Sequence, residues 1–516
     1  MTTTDVLEVR QRSTFEPQTE RKGTWVALAA AVPAVLYFLF VLHYSVNVPW
    51  SLDDWSIIFV VDAALHGHFS LSLLWTQYGD RRLVVSRLIF IVFSSIDNLN
   101  ERSVMMFSAI IFAVSYALVL RMFRSYLRRP LTIVSVVAIG IVWFSLADFL
   151  NILWSFQLSW FLVTFFFVGM AYALIMQSSP RIPWLLVGMI CAVAGSLSDV
   201  QGFILWPIGL VCLLWNRSWS PRRAGEVAAW LVTAGITSAI YFRGYNGDVQ
   251  CVPTSSCSLG FELHHVVLLA KCFLMLVGGV FPTYGSWSVF DAYAYTGQDA
   301  GLHQFIGAGL LIAAIYVVIQ SIRQRRYQSN PLPVLLIAYG LLFDLLITRS
   351  RVGEGIGQFT SGQYVMPNLV LLVGIVVYIW AHFPPLAERR GTIPTRRWLG
   401  VVGAAALTLL LAVQCVLGTM YGIAGGRARH QGAVTDARVL VNHYRLSDTQ
   451  WACETAVAVM LWTSPQLATS YFDHAIPLAL RDGLSLFQSD VAEYRREGPP
   501  RISECDTKAR GAYGAG

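Results

Sequence analysis

Charge is scarce in this chain. Asp, Glu, Lys and Arg supply 13% of the 516 residues, about half of the quarter usual in soluble domains, while 55% are hydrophobic and the mean hydropathy is +0.56. That balance excludes a water-soluble globule of several domains and leaves a polytopic membrane protein. Lysine is nearly missing, with only Lys22, Lys271 and Lys508, so the positive charge is almost all arginine. No Gly-rich loop ending in Lys-Ser/Thr is present, which leaves ATP-driven transport unsupported, and no nucleophile elbow occurs. The 8 cysteines form no zinc spacing with histidine, and repeats and low-complexity tracts are absent. A net charge of +7 does not mark a nucleic-acid partner. The arginines gather in short loops between apolar runs, where membrane topology accounts for them.

Crossing roughly 30 Å of hydrocarbon takes about 20 apolar residues. The first such run, Thr24 to Val46, follows a polar leader (residues 1–23) with Arg10, Arg12, Arg21 and Lys22. It is too long for a signal-peptide core and lacks a small-residue cleavage site, so it is expected to be an uncleaved anchor with a cytoplasmic N-terminus. Further spans fit Val104 to Phe123, Leu131 to Ala147, Leu153 to Met176, Trp184 to Leu197, Phe203 to Trp215 and Val227 to Phe242. The last four fit Leu302 to Ile322, Leu332 to Ile347, Tyr364 to Ala381 and Leu399 to Tyr421. The expectation is an all-α polytopic membrane protein with about 11 transmembrane helices. Its parts are the leader 1–23, a membrane domain 24–421 with a first outer loop 47–83, and a small extracytoplasmic region 422–516.

In the first outer loop Ser56 to Leu65 and Phe69 to Leu74 read as interfacial helices, with Trp50, Trp55 and Trp75 at headgroup depth. Leu83 to Phe93 is apolar but short. Residues 265–281 cannot be a full crossing without moving Arg323, Arg325 and Arg326 to the outer side, so this segment is expected to be re-entrant or half-buried, broken at Gly278-Gly279 and Pro282. Cys251 with Cys257, and Cys453 with Cys505, fall in outer segments and are disulfide candidates in an oxidising compartment.

Asp53 and Asp54 follow the first span within a few residues, in Val48-Pro49-Trp50-Ser51-Leu52-Asp53-Asp54-Trp55. An N-cap role for the helix that follows is the plain explanation. Other polar groups recur at the same expected face: Asp80, Arg81, Arg82 and Arg87, then Asp148, Asn151 and Gln157, then Asp199 and Gln201, then Arg349, Arg351 and Glu354. Charged groups at membrane depth are costly unless paired or wet, so their clustering at one face points to one cavity. An outward carboxylate can act as general base on an acceptor hydroxyl while arginines hold a phosphate leaving group, a division of labour that suits glycosyl transfer from a lipid-linked phosphosugar. Lys271, inside an apolar run, is a further candidate contact to a lipid phosphate. Trp154, Trp206 and Trp287 are candidates to stack on sugar rings, although packing and interfacial belts use most tryptophans of a membrane protein.

With this layout the chain resembles the GT-C superfamily of bacterial glycosyltransferases that use polyprenyl-phosphate sugars. It is also similar to a set of bacterial membrane proteins in Gln77-Tyr78-Gly79-Asp80-Arg81-Arg82 through Arg87, in Asn151-Ile152-Leu153-Trp154-Ser155-Phe156-Gln157, in Gln201-Gly202-Phe203-Ile204-Leu205-Trp206-Pro207, and from Arg351 through Gly353 and Gly357 to Gly362-Gln363-Tyr364. The resemblance covers roughly residues 24 to 421. It implies a plasma-membrane enzyme with an extracytoplasmic active site, a polyprenyl-phosphate sugar donor and a glycan, lipid or protein acceptor. By the resemblance Asp53 or Asp54 is the base, with Asp53 preferred. The neighbour would orient it, hold an acceptor hydroxyl, or bind a divalent cation such as Mg or Mn. Arg81, Arg82, Arg87, Lys271, Arg349 and Arg351 are then donor-phosphate candidates; Asp148, Asn151, Trp154, Gln157, Asp199 and Gln201 are acceptor or sugar candidates. Gly362-Gln363-Tyr364 stands where the family pattern has Ser-Arg-Tyr, which moves any phosphate role there to Arg349 or Arg351. The competing class is a transporter or lipid-linked-sugar flippase that would use Asp148, Asp199 and Lys271 as a relay. A non-catalytic scaffold would leave the acids and arginines unexplained.

Overall fold

The computed structural model describes residues 3–50, 52–127, 130–176, 181–215, 219–246, 264–282, 299–323, 330–352, 359, 362–382, 396–442, 465–488 and 491–498. Everything regular among them is helical. In chain order these are α1 (Thr3–Tyr44), α2 (Leu52–Leu65), α3 (Leu71–Trp75), α4 (Val84–Asp97), α5 (Glu101–Leu127), α6 (Ile133–Trp143), α7 (Phe149–Ile152), α8 (Leu158–Ile175) and α9 (Arg181–Ser198). The series continues with α10 (Leu205–Leu214), α11 (Pro221–Tyr241), α12 (Val266–Gly278), α13 (Ala300–Arg323), α14 (Leu332–Arg351), α15 (Val365–His382), α16 (Arg396–Val441), α17 (Pro465–Asp482) and α18 (Val491–Glu497).

Among the described residues 8 helical stretches are long and apolar enough to cross a membrane, and Ile182–Ser198, Val200–Leu214 and Val266–Gly278 are shorter apolar helices. The centre of the bundle is α15: of the apolar window in Gly362–His382, 83% is buried, against 22% for Gly23–Tyr44 in α1. Along α1, Leu28, Val32, Val35, Leu39 and Leu42 are exposed at helical spacing, the stripe a helix shows to lipid from the edge of a bundle. Two-residue signals start several helices. Thr132 and Ser135 form a reciprocal capping box at the start of α6, and Ser220 caps α11 with Pro221 in its first turn.

At 13 residues, α12 rises roughly 20 Å, short of the roughly 30 Å of a hydrocarbon core. It lies backbone to backbone on α13. A Cβ on Gly278 would sit 1.9 Å from the His303 carbonyl oxygen, and one on Gly307 would sit 1.9 Å from that of Leu274. Glycine at both positions is what permits the approach. Asn368 of α15 then ties the group together, donating to the carbonyls of Leu276 and Tyr364 and to Asp344 at 3.0, 3.2 and 3.3 Å.

The expected boundary at residue 421 is not a helix end. The final long helix, α16, runs unbroken to Val441, because the segment after Tyr421 still packs. Gly425 lies against the Phe149 ring, Gly426 against Phe40, and Ala433, Ala437, Val439 and Leu440 are buried. Beyond it α17 returns to pack on α2, and the Asn47 side chain donates to the Ser485 carbonyl at 2.8 Å.

Candidate active site

Asp53 and Asp54 occupy the first turn of α2, where carboxylates favour the helix dipole. One residue along a helix is a turn of about 100°, so the two acids meet different surroundings. Asp54 is buried and saturated. Its Oδ1 accepts from the Ser155 hydroxyl at 2.7 Å and the Phe156 amide at 3.1 Å; its Oδ2 accepts from the Trp50 amide at 2.8 Å and Trp154 Nε1 at 3.0 Å. Those contacts pin the first loop to the turn before α8. Burial pushes the Asp54 carboxyl up to about 6, against the Ser155 and Trp50 hydrogen bonds that favour the charged form, with Asp53 adding to the rise and Arg429 opposing it.

Asp53 is half-buried, and the Tyr78 phenol donates to its Oδ1. Tyr78 is delivered by a tight turn. Tyr78 and Arg81 exchange backbone hydrogen bonds at 2.8 and 3.0 Å, and Gly79 between them has φ 55°, a left-handed conformation that glycine adopts without strain. The same turn points Arg81 the other way. Its Nη1 lies 3.2 Å from Asp199 Oδ2, Ser159 donates to that same oxygen at 3.1 Å, and the guanidinium stands 5.3 Å from the centre of the Phe156 ring. Asp80 is 3.8 Å from Arg81 Nε. The turn at 78–81 therefore connects Asp53 of α2 to Asp199 at the end of α9 through one tyrosine and one arginine.

The other first-loop arginines, expected as phosphate ligands, are spent on backbone. Arg82 donates through Nε to the Tyr241 carbonyl at 2.9 Å, through Nη2 to that of Arg243 at 3.0 Å and through Nη1 to that of Trp75. Its amide also binds the Tyr241 hydroxyl at 2.9 Å, and its guanidinium lies 5.3 Å from the centre of the Trp75 ring. Arg87 Nη1 closes the C-terminal end of α3, donating to the carbonyls of Leu73, Leu74 and Thr76 at 3.3, 3.0 and 2.6 Å. Unsatisfied carbonyls at a helix end attract a cation, and this end is taken.

Asp148 and Asn151 form a buried knot. Asn151 Nδ2 donates to Asp148 Oδ1 at 2.6 Å and to the Gln363 carbonyl at 2.7 Å, and the Tyr37 hydroxyl reaches Asp148 Oδ2 at 3.5 Å. Gln157 and Gln201 are buried as well, but the Oε1 of each lacks a hydrogen-bond partner among the described residues, as does Asp199 Oδ1. Trp206 is a packing residue, bonded to Ser196 at 3.0 Å and set edge-on against Trp230. Lys271 is exposed on α12; Arg349 is exposed and Arg351 half-buried in the last turn of α14. Cys251, Cys257, Cys453 and Cys505 lie outside the described residues, as do Trp287 and Glu354. Among the described residues Cys191, Cys212, Cys272 and Cys415 form no disulfide.

Sequence reasoning missed Arg429. From α16 its guanidinium stacks 4.1 Å from the centre of the Trp50 ring, it is buried, and its charge faces Asp54 and Asp436. Trp50 in turn packs edge-on to Trp154 at 4.8 Å. Glu101, buried at the start of α5, adds a third carboxyl close enough to repel Asp54. The overlooked signal was the small-residue helix pattern through Gly425-Gly426-Arg427-Ala428-Arg429, which continues the preceding apolar run.

A divalent cation has one candidate trio among the described residues, Asp62, His66 and Asp482, whose ligand atoms lie within 4.8 Å of one another. It stands further along α2 than the acid pair. Arg481 already pairs with both of its carboxylates, so the trio is an ion-pair cluster that a metal would have to displace.

No family model matches the chain, and no curated protein matches it. Among solved structures it is similar to the apo form of the oligosaccharyltransferase from Archaeoglobus fulgidus, at 13% identity and a TM-score of 0.44 over 86% of this chain and 61% of that one. It is also similar to the oligosaccharyltransferase AglB of the same organism in complex with an inhibitory peptide and a dolichol-phosphate, at 12% identity and a TM-score of 0.41 over 85% of this chain and 60% of that one. This chain therefore spans about three fifths of the length of those enzymes. At such scores the likeness assigns no residue and no activity.

Proposed function

We propose that the protein transfers a glycosyl group from a polyprenyl-phosphate-linked sugar to an acceptor at the extracytoplasmic membrane face, with Asp53 as general base. The observation that supports it most is the unequal treatment of the two adjacent acids. Asp54 spends both oxygens on four donors that fix the loop, whereas Asp53 is held by the Tyr78 phenol and half-buried. A base needs a positioned carboxylate at a water-accessible boundary, and Asp53 meets that need better than its neighbour. Asp54 is then a positioning residue. Arg81 and Arg429 are the guanidinium groups we assign to the charge developing on the phosphate, since each faces carboxylates, Asp199 for Arg81 and Asp54 with Asp436 for Arg429, rather than backbone carbonyls. Gln157 and Gln201, with their unpartnered amide oxygens, are assigned to hydroxyl groups of the donor sugar or the acceptor.

The test is incubation of purified protein with a panel of polyprenyl-phosphate sugars and measurement of released polyprenyl phosphate. Asp53→Asn is expected to lower the rate by about 10²- to 10⁴-fold, the usual contribution of a general base, at unchanged folded stability. Release by Asp53→Asn at the wild-type rate removes Asp53 from the mechanism, and no release from any donor in the panel removes the donor class.

One observation favours transport instead: Asp344, in the body of α14, is fully buried and among the described residues takes a 3.3 Å contact from Asn368 Nδ2 on one oxygen, while its Oδ2 has no hydrogen-bond partner among them. Lipid-linked sugar moving across proteoliposomes, and stopping in Asp344→Asn, would favour that alternative.

A further inference from the structure

At the end of the bundle remote from Asp53 and Asp54 lies a cleft of about 770 Å³, formed by the last turns of α5, the segment leading into α6 and the residue after α8. Such a volume falls in the range of about 300–1,000 Å³ typical of small-ligand sites. Its depth follows from α5 alone. Glu101 starts that helix beside Asp54, and Arg121 follows 20 residues later, which at 1.5 Å per residue is roughly 30 Å, one hydrocarbon thickness. Arg121 therefore stands at the opposite headgroup boundary, and Arg124 one turn beyond it.

The lining divides by chemistry. Arg121, Arg124 and Ser125 form a polar rim, while Leu120, Leu131 and Met176 form an apolar wall. Arg121 and Arg124 are three apart on one helix and so share a face. Both are exposed, and neither forms an ion pair with a carboxylate among the described residues. The N-terminus of α6 opens immediately after Leu131, and its partial positive charge adds to theirs. Next to the wall, Ile133 and Val134 are 48% and 63% exposed, so the cleft adjoins surface that faces acyl chains. Paired positive charge at headgroup depth, above an apolar slot open to lipid, matches a molecule with an anionic head and a hydrocarbon tail. Ordinary snorkelling places single arginines at this depth, but it needs neither a cleft nor a matched pair.

We propose that this cleft binds an anionic membrane phospholipid, with the phosphate between Arg121 and Arg124 and one acyl chain along Leu120, Leu131 and Met176. The guanidinium fork suits phosphate oxygens in pairs, and basic pockets between membrane helices are a recurrent form of headgroup recognition. The site is independent of the proposed glycosyl transfer and lies at the other membrane face.

Native mass spectrometry of the purified protein in neutral detergent tests it, with phosphatidylglycerol and phosphatidylcholine of identical chains as probes. Wild-type protein is expected to retain one phosphatidylglycerol at least tenfold more tightly than phosphatidylcholine. The double variant Arg121→Gln/Arg124→Gln should lose that preference, whereas Arg222→Gln/Arg323→Gln, which removes two exposed arginines elsewhere, should keep it. Leu131→Trp, with both arginines intact, should reduce retention by filling the wall. Equal retention of the two lipids by wild-type protein overturns the proposal without recourse to any variant. Undiminished preference in Arg121→Gln/Arg124→Gln, or equal loss in Arg222→Gln/Arg323→Gln, overturns it as well.

Discussion

Replacing Arg82 by lysine keeps a positive charge at the site and removes the planar fork. In the native protein that fork spans three carbonyls on two chain segments, those of Trp75, Tyr241 and Arg243. An ammonium on a flexible stem reaches one of them and leaves two. A hydrogen bond to a charged partner contributes about 1.5–3 kcal/mol, and Arg82 is only 4% exposed, so solvent screening takes little from it. Two lost bonds give about 3–6 kcal/mol, and the lost stacking on Trp75 adds roughly 0.5–1 kcal/mol. Because Arg243 is exposed and Trp75 half-buried, their carbonyls regain water in part, so the expected loss is near the lower end, about 3.5 kcal/mol. Unfolding by SDS in mixed micelles, compared between Arg82→Lys and wild type, reads this directly. A variant that unfolds like wild type while its KM for a phosphate-linked donor rises tenfold would return Arg82 to the phosphate ligands and refute its role as a staple between the first loop and α11.

Asp54 gives a pH dependence of definite sign. Its folded pKa of about 6 lies above the reference 3.8, so its contribution to stability is present in full below about pH 4 and is lost as pH rises through 6, to a limit of about 3 kcal/mol at 1.36 kcal/mol per unit. Between pH 5 and 7.5, then, wild type should lose more unfolding free energy than Asp54→Asn, and an equal loss in both refutes the assignment. Gly307→Ala should destabilise by at least about 2 kcal/mol, since its Cβ would meet the Leu274 carbonyl of α12, whereas Gly309→Ala, with nothing within 4 Å, should be silent; similar unfolding of the two variants would sink the close-contact argument. Asp199→Asn removes the nearer of two carboxylates paired with the buried Arg81, Asp80 remaining, and should lose about 1.5–3 kcal/mol, the range for a hydrogen bond to a charged group, to be measured in the same unfolding assay and contradicted by a change under about 0.5 kcal/mol.

Apolar run length made the all-helical membrane class legible in the sequence, because a span is a one-dimensional property of the chain, whereas the expected 11 crossings stand beside 8 described helices that are long and apolar enough to cross. The acid pair was legible as a pair, but its division of labour was not. Which of two neighbours points inward depends on the helical phase of α2, and the donors that decide it, Trp154, Ser155 and Phe156, come from a hundred residues away. The same distance hid the fate of Arg82, whose acceptors Tyr241 and Arg243 lie on another helix. Arg429 escaped for a different reason. Hydropathy falls after Tyr421, which suggested a separate polar region, while the helix itself continues because glycines at 425 and 426 let it pack against Phe149 and Phe40.

These placements also bear on how arginine in a membrane protein should be interpreted. A loop leaving the bilayer carries backbone carbonyls that no helix satisfies, and an arginine can close several at once with a delocalised charge that tolerates burial. Arg82 and Arg87 together close six such carbonyls, on Trp75, Tyr241, Arg243, Leu73, Leu74 and Thr76. Their position beside two aspartates therefore follows from architecture, with no ligand needed to explain it. The discriminating feature is what the guanidinium faces. Arg81 and Arg429 face the carboxylates of Asp199 and of Asp54 and Asp436, and a carboxylate partner is one that an incoming phosphate oxygen can replace in kind, whereas a carbonyl at a helix end cannot be vacated without unravelling that end. Under the proposed glycosyl transfer, Arg81 of the first loop and Arg429 of α16 are the two arginines left to act on a phosphate, and the more than three hundred residues between them are the reason neither stretch of sequence reveals the other.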